Sequence, residues 1–187
     1  MPKNNFQTLV FTFITVFFTV LAFVFYSVYV INGSSAMTIT HTSSVLAAIH
    51  AQGGLYMFGT FLPIWAVIVI EIIFAFTLEV AFVGKYALKR TMQLAQPESS
   101  HPLLVQTTMI FVTVSLMCPA MSFIAAWSFY PYQDGFNFLT LLANWLKLIC
   151  YNLPFAFFAQ LFFIQPLVKK IFSFLFREKK AATRQVA

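Results

Sequence analysis

Residues 58–83 read FGTFLPIWAVIVIEIIFAFTLEVAFV. Apart from Glu71 and Glu79 the run carries no charge, and an α-helix needs about 20 apolar residues to cross roughly 30 Å of hydrocarbon. Three further stretches are of the same kind: about Phe6 to Ile31, about Leu104 to Phe129, and about Phe138 to Ile164, the last containing Lys147. Between them lie turn-forming clusters: Asn32-Gly33-Ser34-Ser35, Gln52-Gly53-Gly54, residues 96–102 and residues 131–135. Lipid offers backbone amides no partners, so each run must satisfy its own as a helix. The period-two alternation of a barrel strand is absent. The expected fold is an all-α membrane protein with four transmembrane helices.

Composition agrees. Of 187 residues 60% are hydrophobic and 9% charged, with a mean hydropathy of +0.85 and 25 phenylalanines. Soluble domains are about half apolar and about a quarter charged, so a soluble enzyme, a secreted disulfide scaffold and a disordered chain are excluded. The net charge of +6 does not lie along a groove with interleaved aromatics. The bases cluster beside the apolar runs, as at a membrane surface, and nucleic acid is not an expected partner. Ten of the eleven, all but Lys147, fall before the first span, after the second or after the fourth. Residues 32–57 and 130–137 contain neither Lys nor Arg. By the positive-inside rule both termini are expected in the cytoplasm, in a multi-pass protein of the inner (plasma) membrane. Ser34-Ser35-Ala36 has the small residues of a signal-peptidase site, but the preceding run is about twice the length of a signal core, which predicts a retained helix. Residues 42–51 are expected as a short interfacial helix or re-entrant lid. The basic, aromatic segment after Pro166 is expected to continue as an interfacial helix.

The chain also resembles itself. At a shift of 81, Phe74-Ala75-Phe76 falls on Phe155-Ala156-Phe157, Phe82 on Phe163 and Lys89 on Lys170, while Glu71 meets Asn152 and Glu79 meets Gln160. At a shift of 98, Phe13-Ile14-Thr15-Val16 falls on Phe111-Val112-Thr113-Val114, Ala22 on Ala120 and Phe25 on Phe123. The larger shift reflects the longer first outer loop. Two tandem two-helix repeats follow, in parallel orientation about an axis along the membrane normal. They occupy residues 1–90 and 104–177, with a linker at 91–103 and a tail at 178–187.

The second repeat carries a further likeness. It contains Phe111-Val112-Thr113-Val114-Ser115-Leu116-Met117, then Asn144-Trp145, Asn152-Leu153-Pro154-Phe155-Ala156 and Gln165-Pro166-Leu167-Val168-Lys169-Lys170. These residues resemble small bacterial two-helix membrane domains of a family of unknown function. The shared features are a Met/Ser-rich first helix, a Trp opening the second, a mid-helix Pro and Ala, and a Pro-Leu-Val-basic ending. The likeness covers residues 104–176. In the first half Trp65 and Phe74-Ala75-Phe76 remain, but the mid-helix proline and the Pro-Leu-Val ending do not. It implies location and architecture, not an activity.

Few residues remain to carry chemistry. Glu71 lies near the middle of its span, where a charge is expensive. Glu79 is about 12 Å nearer the cytoplasm on a similar face, and Asn152 and Gln160 repeat the arrangement. One reading is a proton- or cation-accepting site between the repeats. The other is helix glue, with a neutral Glu71 bonded to Asn152 or to a backbone carbonyl. Lys147 either pairs with Glu71 or reaches outward beside Asn144. A single site using both Lys147 and Asn152 requires a bend, for which Pro63, Pro119 and Pro154 are candidates. His41 and His50 lack accompanying Cys or carboxylate ligands, so no metal site is expected. Cys118 and Cys150 are expected as small hydrophobes, and Trp65, Trp127 and Trp145 as interfacial anchors. Phosphate loops, metalloprotease helix pairs and nucleophile elbows are absent, so neither an enzyme nor a cofactor is expected.

The expected function is transport of a small solute or ion, channel-like or carrier-like, at a polar site formed by Glu71, Glu79, Lys147, Asn152 and Gln160. Because four helices enclose little volume, a homodimer is expected. The alternative is an accessory or assembly subunit docked on a larger membrane partner.

Overall fold

The computed structural model describes residues 4–95, 101–132 and 135–176. Residues 96–100 of the proposed 91–103 linker and the whole 178–187 tail lie outside these residues, as do Lys3, Arg177, Lys179, Lys180 and Arg184.

Four helices are long and apolar enough to cross a membrane: α1 (Asn5–Ile31), α4 (Ile64–Leu94), α5 (Pro102–Ser128) and α6 (Phe138–Leu175). Between α1 and α4 lie two short helices, α2 (Gly33–Thr40) and α3 (Val45–Gln52), then an antiparallel hairpin of β1 (Gly54–Met57) and β2 (Thr60–Pro63). Helix α3 falls where an interfacial helix was expected. Its entry is set by Ser44, whose hydroxyl accepts the Ala47 N–H at 3.3 Å, and its exit by Gly53 in the left-handed region (φ 68°). Helix α6 begins at Asn137, whose side-chain oxygen accepts the Leu139 and Thr140 N–H groups at 2.9 and 3.4 Å.

The second span is shorter at its outer end than the apolar run in the sequence. Phe58, Gly59 and Thr60-Phe61-Leu62-Pro63 form the turn and second strand of the hairpin, and the helix opens at Ile64. Pro63 sits at the helix entry with extended backbone (φ −65°, ψ 149°), so it does not bend the helix. An apolar run does not by itself separate strand from helix. Here Gly54 decides: a Cβ on it would lie 2.3 Å from the Leu62 carbonyl oxygen, so only glycine permits this close pairing. Pro119 and Pro154 do lie inside helices. The basic segment after Pro166 continues α6 without a break to Leu175.

Three of the long helices contain a π turn, in which an N–H reaches back five residues: Tyr26–Ile31, Glu79–Val83 and Ala159–Ile164. The Gly84 N–H donates to the Glu79 carbonyl, and the Gln165 N–H to the Gln160 carbonyl. Such turns are rare and recur at functional sites.

Helix α1 packs against α4 and α6, and α5 packs against the same two, so the four form a ring. Two clusters line its inside. Val16, Val20 and Ala75 pack with Met117 and Met121, and Ile110, Val114 and Cys118 pack with Ala156. The large apolar residues Phe6, Trp65, Ile73, Phe82, Phe162, Phe163 and Phe174 point outward, each more than half exposed, as suits a lipid-facing surface. At the hairpin end the Phe58 N–H donates to the Ser128 carbonyl (2.7 Å), tying the turn to the last residue of α5.

Candidate functional site

Helices α4 and α6 supply the polar residues. Along α4 the stripe Val67, Glu71, Ala75, Val83, Ala87 and Thr91 is turned inward and buried. Along α6 the inward stripe includes Asn152, Ala156, Ile164, Val168 and Phe172. Ala75 and Ala156, one turn beyond Glu71 and Asn152, keep the interior open at this depth because they carry only a methyl group. The result is a cavity of about 2250 Å³ bounded by all four long helices. It extends from Asn5 and Lys169 at the basic end to Val28, Leu55 and Phe129 at the hairpin end. Four helices were expected to enclose little volume, and this ring encloses more than that.

Glu71 is 8% exposed and Asn152 6%, and both line this cavity. Oε1 of Glu71 and Oδ1 of Asn152 are buried with no hydrogen-bond partner. Most buried polar atoms are paired, and a buried acceptor without a donor costs about 1–3 kcal/mol. The Asn152 amide nitrogen donates to Ser122 Oγ at 3.3 Å, which fixes the direction of its oxygen. Half-buried Gln160 donates through Nε2 to Thr19 Oγ1 at 2.7 Å, and Thr19 donates in turn to the Thr15 carbonyl at 2.6 Å. Glu79 is also half-buried and lines the same space.

Four of the five residues singled out from the sequence thus meet in one cavity. Lys147 does not. It is on the exposed face of α6 near exposed Asn144, away from the lining, and it forms no pair with Glu71. No bend brings it round, because Pro154 lies beyond it in the chain. The expected Glu71–Asn152 hydrogen bond is not formed either: the Asn152 amide nitrogen donates to Ser122, and Glu71 Oε1 and Asn152 Oδ1 have no partner.

Trp65 and Trp127 are exposed near the hairpin end, as anchors should be. Trp145 differs: it is packed between helices and its Nε1–H donates to the Pro119 carbonyl at 2.9 Å. Cys118 is buried and Cys150 exposed. Among the described residues there is no group of three or more His, Cys, Asp or Glu side chains arranged to hold a metal ion.

Several lining residues had not been singled out as parts of a site. Thr8, Thr12, Thr15 and Thr19 run down the inner face of α1, and Thr113, Met117, Cys118, Met121 and Ser122 down that of α5. The threonines stand at positions i, i+4, i+7 and i+11, a helical stripe visible in the sequence. What hid it is that threonine in a span bonds its own preceding turn, as Thr15 does to the Phe11 carbonyl at 2.8 Å, so it costs little and draws no notice.

This second hairpin of the ring, with its inward Asn152 and Gln160, also matches a known family. Residues 100–176 match the model of a domain of unknown function (DUF2798). The matched domain comprises α5 and α6 through Leu175, and it brings no activity with it. Comparison with curated proteins and with solved structures gives no match.

Proposed function

We propose that the protein is a multi-pass protein of the cell membrane that moves a small solute or ion through the cavity between its helices. Glu71 and Asn152 form the centre of its polar site, with Gln160 and Glu79 about two turns nearer the cytoplasm. Both termini are cytoplasmic in this reading, supported by the sequence: ten of the eleven bases fall before the first apolar run, after the second or after the fourth. The observation that carries the function is the pair of orphaned oxygens, Glu71 Oε1 and Asn152 Oδ1, buried on one large cavity. Helix glue would have satisfied them. A site left waiting for a donor or a cation would not.

The paired arrangement is supported by burial. At the shift of 81, buried Glu71, Ala75, Val83, Ala87 and Thr91 fall on buried Asn152, Ala156, Ile164, Val168 and Phe172. At the shift of 98, buried Val16, Val20 and Val28 fall on buried Val114, Cys118 and Ala126. The π turns closed by Gly84→Glu79 and Gln165→Gln160 also stand at the shift of 81. Two parallel copies of one hairpin, with the site on the axis between them, account for all three patterns.

The test is reconstitution in liposomes with a pH-sensitive dye inside. Wild type is expected to carry proton-linked or cation flux above empty vesicles, and Glu71→Gln to lower it by about tenfold or more, the loss of one charge-assisted contact. Equal flux from both proteins would remove Glu71 from the mechanism. If neither protein carries flux under any gradient, the accessory-subunit reading takes its place.

A further inference from the structure

We infer, building on the transport reading, that the solute held between Glu71 and Asn152 is an organic monocation: an ammonium or amidinium head that donates hydrogen bonds to both oxygens, joined to an apolar body. Asn152 Oδ1 is an acceptor, and so is Glu71 Oε1 when the carboxyl is ionised, so the ionised pair calls for a donor. A carboxyl group and an amide line the same cavity from two different helices, which matches a single positive charge shared between the two.

Among the described residues no cation of the chain lines the cavity beside this pair. Lys85 and Lys169 line the cavity, but along their helices they lie about 21 Å from Glu71 and about 25 Å from Asn152 at the helical rise. Lys169 is moreover engaged with the Gln106 side-chain oxygen. Lys147 faces outward.

Size and wall chemistry choose among cations. Hard divalent metals take six or more oxygens, several of them carboxylate, and no such cluster exists among the described residues. An inorganic monocation would fill a small part of about 2250 Å³, whereas pockets for drug-sized organic molecules run about 300–1000 Å³. Beside the polar pair much of the wall is apolar: Val16, Val20 and Ala75 packed with Met117 and Met121, and Ile110, with the α1 threonines among them. Methionine side chains are flexible and polarisable, so this wall can re-form around bodies of different shape. The site is therefore suited to a class of amphipathic cations more than to one rigid ligand.

The probe is n-hexylammonium, measured by equilibrium dialysis against the full chain in detergent, with empty micelles subtracted. Methylammonium, hexanol, hexanoate and sodium are the comparisons. Hexylammonium is expected to bind at least about tenfold more tightly than methylammonium, because its added methylenes are buried. It should also outbind hexanol and hexanoate. Glu71→Gln should weaken it by about tenfold or more, while Lys147→Gln should leave it unchanged. Because Glu71→Gln can disturb folding, a second measurement uses the native site. In a Cys150→Ser protein, labelling of the lining residue Cys118 by a small thiol reagent should be lost at saturating hexylammonium. Binding that ignores chain length or charge, or Cys118 labelling unaffected by the probe, would overturn the proposal. Liposome flux without hexylammonium binding would overturn the organic cation and leave transport standing. Binding without flux of any kind would do the reverse.

Discussion

Two side chains illustrate how far single residues can be read. Glu71 is conspicuous in the sequence because a carboxylate in mid-span demands a reason, and the structure places it on the cavity with an unpartnered oxygen. Trp145 is conspicuous too, but the anchor expected from its type is not what it is. It sits against α5 and donates to the carbonyl of Pro119, a residue that interrupts the hydrogen-bond ladder of its own helix by lacking an N–H. Nothing in the sequence links positions 119 and 145, since the pairing depends on how two helices cross. Trp145→Phe keeps the ring and removes the donor. It is expected to lower stability by about 1 kcal/mol, the net worth of one hydrogen bond. Equilibrium unfolding in mixed micelles would measure this, and an unchanged midpoint would mean that the indole serves packing alone.

At the level of elements, the long helices were legible because length and apolarity are sufficient for a span, and α1, α5 and α6 open close to the expected residues. The hairpin was not legible. Its strands, Gly54–Met57 and Thr60–Pro63, carry no charge and run straight into the apolar helix that follows, and its turn is Phe58-Gly59. Both turn residues have positive φ, 51° and 76°, as in the type I′ turn that suits the twist of a hairpin. Phenylalanine is a poor occupant of the left-handed region, where a bulky side chain costs about 1–2 kcal/mol, so the sequence carries no turn signal at position 58. The Phe58 N–H is used to reach the Ser128 carbonyl, which accounts for the conformation being held. Phe58→Asn supplies the favoured Asn-Gly pair without touching that bond. Slower hydrogen exchange across residues 54–63 is the expected result. Faster exchange would show that the half-exposed phenyl ring, and not the backbone turn, holds the hairpin on the bundle.

Across the whole molecule, the cavity lies inside the ring α1–α4–α5–α6, and the proposed function reads that ring as two copies of one hairpin. The identities that relate them in sequence are few. The burial is far more regular, because packing around an axis constrains which positions face inward more tightly than which residue fills each one. Glu71 and Asn152 occupy corresponding inward positions with corresponding orphaned oxygens, so a two-copy frame makes them interchangeable in a way that unrelated residues are not. Exchanging them tests this directly. Glu71→Asn alone removes the carboxylate, and is expected to lower flux and hexylammonium binding about tenfold or more, as for the glutamine variant. Adding Asn152→Glu returns one carboxylate to the same cavity from the opposite wall. The double variant is expected to recover most of that loss, with interaction between the two changes far from additive. A double variant that is folded, by gel filtration and helix content, yet no better than Glu71→Asn would mean that the two walls differ in more than their polar residue. The carboxyl group would then be tied to α4 by its surroundings, with Thr19 and Ser122 the first neighbours to exchange.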